Sequence, residues 1–348
     1  MEYFIMLTGF ALAAYSVVGN DVIQTLGTFL ASNDRKPWWV LWLFAGGILT
    51  VILVLGYTGH GGFLGGDDVT FDRLDKFIDN GTFERSLGWI YLLPPLILLF
   101  ITRLGIPVST TFLILSFFSI KSLPGMLFKS LLGYALAFGA SLVLYLLLSK
   151  LIERIFLNHP MSPQSKSIWT NRRFWTALQW LSTGFLWSQW LTQDLANIFI
   201  YLGNPEELGV GTFIFALVVI VGLLGYIFYQ RGGAIQGIVR SKTNTGDIRS
   251  ATFIDFYYGL ILLFFKYNIL GLWEAKLPMS TTWVFLGLLA GREISMRATL
   301  GPKPDRKLGS MIFSDIGKAA LGLIVSITLV MILYYAEDRD ISILFNID

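Results

Sequence analysis

Two short strings in this chain place hydrogen-bond donors where an oxyanion would need them. Pro107-Val108-Ser109-Thr110-Thr111 and Pro278-Met279-Ser280-Thr281-Thr282 each set three consecutive hydroxyls just behind a proline, inside otherwise apolar stretches. Proline cannot continue a helix but fits the first turn of a new one, so each string predicts a break followed by a helix start. A helix start offers free backbone N–H groups and the positive end of the helix dipole, and the hydroxyls add donors at the same place. Ser109, Thr110, Thr111, Ser280, Thr281 and Thr282 are therefore candidate ligands for a tetrahedral oxyanion. An acid precedes each string at nearly equal distance: Asp21 lies 88 residues before Ser109, and Asp194 lies 86 before Ser280. Both acids stand inside long apolar segments, where an aspartate costs a few kcal/mol and persists with a partner and usually a task. They join the candidate substrate site. Asn20, Gln24 and Thr25 surround Asp21, and Gln193 and Asn197 surround Asp194. Such all-oxygen sets suit a hard cation such as sodium better than zinc or copper.

The composition says what must hold these groups in place. Hydrophobic residues make up 54% of the 348 residues and charged ones 14%, against roughly 25% charge in a soluble domain. The expected fold is an all-α, polytopic membrane protein. Counting about 20 apolar residues per crossing gives ten spans, near 3–32 (interrupted), 37–58, 87–102, 105–120, 124–149, 175–202, 211–230, 252–272, 277–294 and 310–335. They divide into a first transmembrane repeat over 1–155, a cytoplasmic linker over 156–173 and a second repeat over 174–348. An odd number of spans per repeat makes the two halves enter the membrane in opposite directions, the inverted plan of many secondary transporters. Cysteine is absent, which excludes disulfides and thiolate metal sites. Met1-Glu2-Tyr3-Phe4 has no basic run ahead of the apolar segment and is expected to belong to the first span, not to a cleaved signal.

Charge distribution is consistent with that span count. Alternate loops hold Arg35 and Lys36; Arg103; Lys150, Arg154, Lys166, Arg172 and Arg173; Arg231, Arg240, Lys242 and Arg249; and Arg292, Arg297, Lys303, Arg306 and Lys307, together 17 of the 26 basic residues. The opposite loops are acidic, with Asp67, Asp68, Asp72, Asp75, Asp79 and Glu84 in the 59–86 connection, Glu206 and Glu207 in the next, and Glu337, Asp338 and Asp340 in the tail. By the positive-inside tendency the basic side is cytoplasmic, and both termini are expected outside a multi-pass protein of the plasma membrane.

A Gly-x-Asn-Asp-like stretch early in each half (Asn20-Asp21, and Gln193-Asp194), paired with Pro-x-Ser-Thr-Thr later in that half, resembles the inorganic phosphate transporter (PiT) family. The family pattern reads approximately Gly-Ala-Asn-Asp-Val-Ala-Asn-Ala and then Gly-x-Pro-x-Ser-Thr-Thr-His in both repeats. The resemblance implies an inverted-repeat carrier that moves phosphate with sodium or protons across the cytoplasmic membrane, as a homodimer, without a cofactor. The matches rest on four short strings, with departures. Gln24 stands for the family's second asparagine in the first half, Gln193 for its first in the second half, and Phe112 and Trp283 replace the histidine after each Ser-Thr-Thr. Amide chemistry survives the first two changes; the histidine's role does not survive the others.

Electrostatics then argues for symport. Two ionised aspartates and a divalent oxyanion would bring about four negative charges into a low-dielectric cavity, and helix dipoles worth about half a charge each do not balance them. Co-bound cations or protons are required. Hydrogen phosphate can donate a proton to a carboxylate whereas sulfate can only accept, which orders phosphate ahead of sulfate or another tetrahedral oxyanion. An anion channel and an intramembrane phosphotransferase remain as rivals; no enzyme is expected, since His60 and His159 fall in loops and no nucleophile and base pair stands out. The expected partners are the oxyanion and the lipid bilayer, and no nucleic acid.

The remaining features have plainer readings. Lys129 and Lys318 share a Lys-x-x-Leu-Gly string near the start of the last span of each half and are expected to snorkel to the outer interface, Lys318 beside Asp315. The tryptophans near span ends, such as Trp38, Trp39 and Trp42, are expected to be interfacial anchors. Gly59-His60-Gly61-Gly62 and Gly65-Gly66-Asp67-Asp68 follow no strand and precede no lysine in register, so they are not a phosphate fingerprint. The 59–86 segment is expected to form a small external lid or an amphipathic helix.

Overall fold

The computed structural model describes residues 1–84, 86–103, 108–148, 161, 162, 165, 167–231, 247–300 and 306–336; the side chains of Ile23, Gln24, Lys318 and parts of the last helices lie outside what is described. The described residues are all-helical and contain no strand. Thirteen α-helices among them carry the fold: α1 Glu2–Val17, α2 Ile23–Ser32, α3 Trp38–Tyr57, α4 Asp75–Asp79, α5 Leu93–Arg103, α6 Thr110–Phe118, α7 Leu123–Leu148, α8 Arg172–Asp194, α9 Ala196–Phe199, α10 Val210–Tyr229, α11 Ile248–Lys266, α12 Thr281–Leu300 and α13 Arg306–Ala336. Among the described residues, five stretches are long and apolar enough to cross a bilayer: Glu2–Val22, Trp38–Tyr57, Ile120–Leu147, Val210–Tyr229 and Ile248–Lys266. Their outer faces expose Leu43, Val51, Val143, Leu147, Ile214 and Val218, an apolar surface compatible with a transmembrane protein.

Local chemistry sets where these helices begin and break. Asn171 caps α8 by accepting from the Arg173 and Phe174 N–H groups, and Asp247 caps α11 through Arg249 N. The segment carrying Asn20 and Asp21 is broken by a π-helical turn over Val18–Val22 between α1 and α2, a type of bulge that recurs at functional sites. The segment carrying Asp194 is interrupted at Leu195, between α8 and α9.

Helix lengths do not support two of the ten expected spans. Residues 87–102 and 105–120 were expected to cross separately, yet α5 and α6 have 11 and 9 residues, and so rise only about 16 and 14 Å against a hydrocarbon core of roughly 30 Å. The Tyr91 ring, just before α5, packs on Phe117 and Phe118 at the end of α6. The two helices therefore start and finish at one level, as the arms of a hairpin.

The helices pack in four close pairs: α7 with α12, α8 with α11, α3 with α10 and α6 with α13. The α7–α12 contact is the tightest because Gly287 and Gly291, four residues apart, let two backbones touch. A Cβ at either would sit 2.4 Å from Tyr134 O or 2.3 Å from Phe138 O. Small residues at that spacing are how apolar helices approach without a hydrophobic drive between them. Ser141 Oγ donates to Leu288 O and Ser295 Oγ to Leu142 O, at 2.7 Å each, so α7 and α12 run in the same direction.

Not every tryptophan is an anchor. Trp187 and Trp190 are fully buried and stack at 4.9 Å, with Trp187 Nε1 donating to Ala45 O at 2.9 Å. The 59–86 segment is a folded cap, not an amphipathic helix. It buries Val69, Phe71, Leu74 and Phe77 and faces the 267–280 loop through Lys276 with Asp72 (2.9 Å) and Asp75 (2.7 Å), and through Lys76 with Glu274.

Candidate functional site

Both hydroxyl strings begin helices, with Ser109 and Ser280 just ahead of the first turn. Ser109 is the N-cap of α6 and accepts from Phe112 N at 3.2 Å; Ser280 accepts from Trp283 N at 3.3 Å ahead of α12. The two serines are thus committed as caps. Each retains a hydroxyl hydrogen to donate, while the threonines behind them make the cross-helix contacts. Pro107 lies outside the described residues.

A continuous hydrogen-bond chain joins the two acids. Thr110 Oγ1 donates to Asp21 Oδ2 at 2.5 Å and accepts from Asn197 Nδ2 at 3.1 Å. Asn197 Nδ2 also reaches Asp194 Oδ1 at 2.9 Å and Thr111 Oγ1 at 3.3 Å. Thr111 Oγ1 in turn lies 3.4 Å from Asp194 Oδ1 and 3.2 Å from Met279 O. From the other string, Thr282 Oγ1 donates to Val108 O at 3.4 Å, the carbonyl that also accepts Asn20 Nδ2 at 2.9 Å. Asn20 Nδ2 binds Asp21 Oδ1 as well, at 2.8 Å, and Thr25 Oγ1 donates to Asp21 O at 3.0 Å. Asp21, Asp194, Asn20, Thr25, Ser109, Thr110, Thr111, Gln193, Asn197, Ser280, Thr281 and Thr282 are all buried, none above 4% exposed. Every candidate residue whose side chain is described is therefore buried in this region, and the threonines tie the two acids and the two strings together; the Gln24 side chain lies outside the described residues.

Three buried oxygens on either side of the Leu195 break, Gln193 Oε1, Asp194 Oδ2 and Asn197 Oδ1, make no close hydrogen bond, and Thr281 is the hydroxyl that faces the Asp194 carboxylate from the second string. Orphaned acceptors at this depth are costly. An all-oxygen set of one carboxylate and two amides fits a monovalent hard cation, so the residues present suit the sodium expected around Asp194.

Several supporting residues escaped the sequence reading. Lys129 does not snorkel: it is 1% exposed, and its Nζ donates to the carbonyls of Glu274, Ala275 and Leu277 at 2.9, 2.9 and 2.6 Å, fixing the chain that leads into Pro278. Its neighbour Ser130 accepts from Ser280 N at 2.8 Å. Tyr258 donates its hydroxyl to Thr281 O at 3.1 Å. Arg73, from the cap, donates to Thr192 O at 3.2 Å and also to Ala275 O, so it ties the cap to both site segments. Burial lowers Arg73 to about 10, which leaves it cationic at neutral pH beside Asp194. Burial raises Asp68, the acid whose carboxylate orders the Thr70 turn. A third acid in a long helix, Asp255, was also missed. A lone Asp in the apolar run Thr252-Phe253-Ile254-Asp255-Phe256-Tyr257-Tyr258 is the signal that would have found it.

Compared with protein-family models, with curated proteins and with solved structures, the chain matches none.

Proposed function

We propose that this chain is a cation-coupled symporter of inorganic phosphate, built from two inverted repeats that alternate access to one site between them. The observation that carries the reading is the bridge Asp21–Thr110–Asn197–Asp194, in which both halves of the chain contribute an acid. Two helix starts and two acids from separate halves meeting at one buried place is the layout of a carrier whose repeats rock about a fixed site.

Exchange symmetry in the packing supports the repeat. If α1, α2, α3, α5, α6 and α7 correspond to α8, α9, α10, α11, α12 and α13, the α7–α12 pair maps onto α13–α6, the α1–α5 pair onto α8–α11, and α3–α10 onto itself; all of these pairs are close. Opposed directions support the inversion. From Ser109, α6 leads to Ile120, beside Tyr334 and next to the start of α7. From Ser280, α12 runs alongside α7 toward its far end. The charges support a sidedness: Arg231 meets Lys36 O and Arg249 meets Trp169 O at one end, while Glu2 meets Leu87 N and Lys276 meets Asp72 and Asp75 at the other. Basic loops inside would put both ends of the chain outside.

In the loaded state, phosphate would take the place of the Thr110 and Thr111 contacts, with Ser109, Ser280, Thr281 and Thr282 adding donors. Asp21 or Asp194 would accept the proton of hydrogen phosphate. Sodium would sit among Gln193, Asp194 and Asn197, with Asn20, Asp21, Gln24 and Thr25 as the related set in the first half. Labelled phosphate uptake into vesicles of the purified protein tests this. Saturable accumulation driven by a sodium or proton gradient, lost in Asp21→Asn and Asp194→Asn, is expected. A gradient-independent leak would mean a channel, product formation an enzyme, and equal block by sulfate would reverse the substrate order.

A further inference from the structure

Away from the central cluster, α11 buries a carboxyl that no described cationic side chain faces. Asp255 is 0% exposed, and each of its oxygens holds one hydroxyl: Oδ1 accepts from Thr28 and Oδ2 from Thr183, both at 2.5 Å. Three helices meet at this acid: α2 from the first half, and α8 and α11 from the second. Around it, α2 carries no charged residue. On α8 the charged residues are Arg172, Arg173 and Asp194, at its two ends. On α11 they are Arg249, held by Asp247 and Trp169 O, and Lys266 at the far end; Tyr257 and Tyr258 are the remaining titratable groups.

Polar residues lie between this acid and the central cluster. Asp21, Thr25 and Thr28 are spaced four and three apart, on one face of the segment. Thr25 is within hydrogen-bonding reach of the Tyr258 hydroxyl, which donates to Thr281 O.

We propose that Asp255, with Thr28 and Thr183, is a proton-binding site that couples proton movement to the rocking of the two halves, a step that rests on the carrier reading above. Two neutral donors do not replace the water that an ionised carboxylate loses on burial, which costs several kcal/mol. The packed arrangement of α2, α8 and α11 therefore favours the neutral acid, and the arrangement that lets water reach the acid favours the ionised one. That difference in proton affinity is what shifts an equilibrium between two conformations. In the neutral form the carboxyl proton is donated to Thr28 Oγ1, whose own hydrogen turns to the backbone carbonyl four residues back on α2, a bond threonine makes readily in helices.

Two measurements on the full-length purified protein test the site. In vesicles, wild-type protein is expected to accumulate labelled phosphate down an imposed pH gradient. Asp255→Asn is expected to lose that accumulation by at least about tenfold while keeping phosphate-for-phosphate exchange, which needs no net proton. Accumulation at the wild-type rate in Asp255→Asn overturns the proposal, as does wild-type uptake driven by sodium with no response to a pH gradient. Infrared pH-difference spectra supply a readout independent of transport. A titrating neutral-carboxyl C=O band, absent in Asp255→Asn and kept at a shifted frequency in Asp255→Glu, supports a proton site; spectra unchanged by either substitution refute it. Wild-type protein that moves no phosphate would sink the carrier reading, and the infrared result would still decide whether Asp255 binds a proton.

Discussion

Thr110 is the node at which the two halves of the site touch, and Thr110→Val removes one oxygen while keeping the branched shape. The hydroxyl it deletes lies 2.5 Å from Asp21 Oδ2 and 3.1 Å from Asn197 Nδ2. A hydrogen bond to a charged group contributes about 1.5–3 kcal/mol, whereas Asn197 keeps its bonds to Asp194 and Thr111 and is not left unpaired. The expected weakening of apparent phosphate affinity is therefore about 10- to 150-fold, read as the concentration for half-maximal uptake. Ser109→Ala is the comparison: it removes the cap to Phe112 N, costing about 1 kcal/mol of stability, and with it the donor offered to phosphate, so it is expected to weaken affinity as well as lower stability. Because Thr110 and Asn197 are in direct contact, Thr110→Val combined with Asn197→Ala is expected to be non-additive by about 0.5–3 kcal/mol. Wild-type affinity in Thr110→Val, or strict additivity of the pair, would refute the bridge as part of the binding site.

Three further outcomes follow from the contacts. Lys129→Met removes the donor shared by three carbonyls ahead of Pro278 and is expected to destabilise by about 1–3 kcal/mol, measured as a lower unfolding midpoint in detergent. Gly291→Leu drives a side chain into the Phe138 carbonyl and the Leu142 backbone; destabilisation by about 1–3 kcal/mol with loss of uptake is expected, and Gly317→Leu, which meets nothing within 4 Å, is expected to be neutral. Lys276→Glu reverses the contacts with Asp72 and Asp75 and is expected to speed hydrogen exchange across 59–86. The Asp75 and Asp72 carboxylates raise Lys276 above its ordinary 10.5. A raised cation contributes fully below 10.5 and loses its contribution only as pH rises through the higher folded value. Exchange in wild type is thus expected to show no Lys276-dependent change between about pH 6 and 9, and a step there would contradict this assignment.

How much of this was legible in the sequence depends on the range of each interaction. Helix starts at Thr110 and Thr281 were readable because a break residue followed by a capping serine acts within a few positions. The convergence of Asp21 with Asp194 was readable because equal spacing in two halves implies equal placement. Lys129 was misjudged for the opposite reason: its partners are the carbonyls of residues 274, 275 and 277, brought over it by a loop far away in sequence. The α5–α6 hairpin escaped because a 20-residue window cannot distinguish two half-length arms from two crossings when both are apolar. Trp187 and Trp190 were beyond composition as well, since an indole anchors at an interface or fills a core according to what packs beside it.

Charge around the bridge sets an expectation for stoichiometry that local sequence alone would not provide. Ionised Asp21 and Asp194 with a phosphate dianion amount to four negative charges. The two helix starts at Thr110 and Thr281 supply about half a positive charge each, and Arg73, cationic beside Asp194, supplies one more, leaving about two negative charges uncompensated. At low effective dielectric that residue costs too much to persist, so about two monovalent cations, sodium ions or protons, should enter with each phosphate. Measuring the phosphate gradient that just cancels a known cation gradient gives the ratio directly. Arg73→Gln deletes one positive charge and should either raise that ratio toward three or abolish loading, with the cap contacts to Thr192 O and Ala275 O lost as well. A ratio of one in wild type would mean that one aspartate enters the cycle already neutral, and a ratio unchanged in an active Arg73→Gln would remove Arg73 from the charge balance.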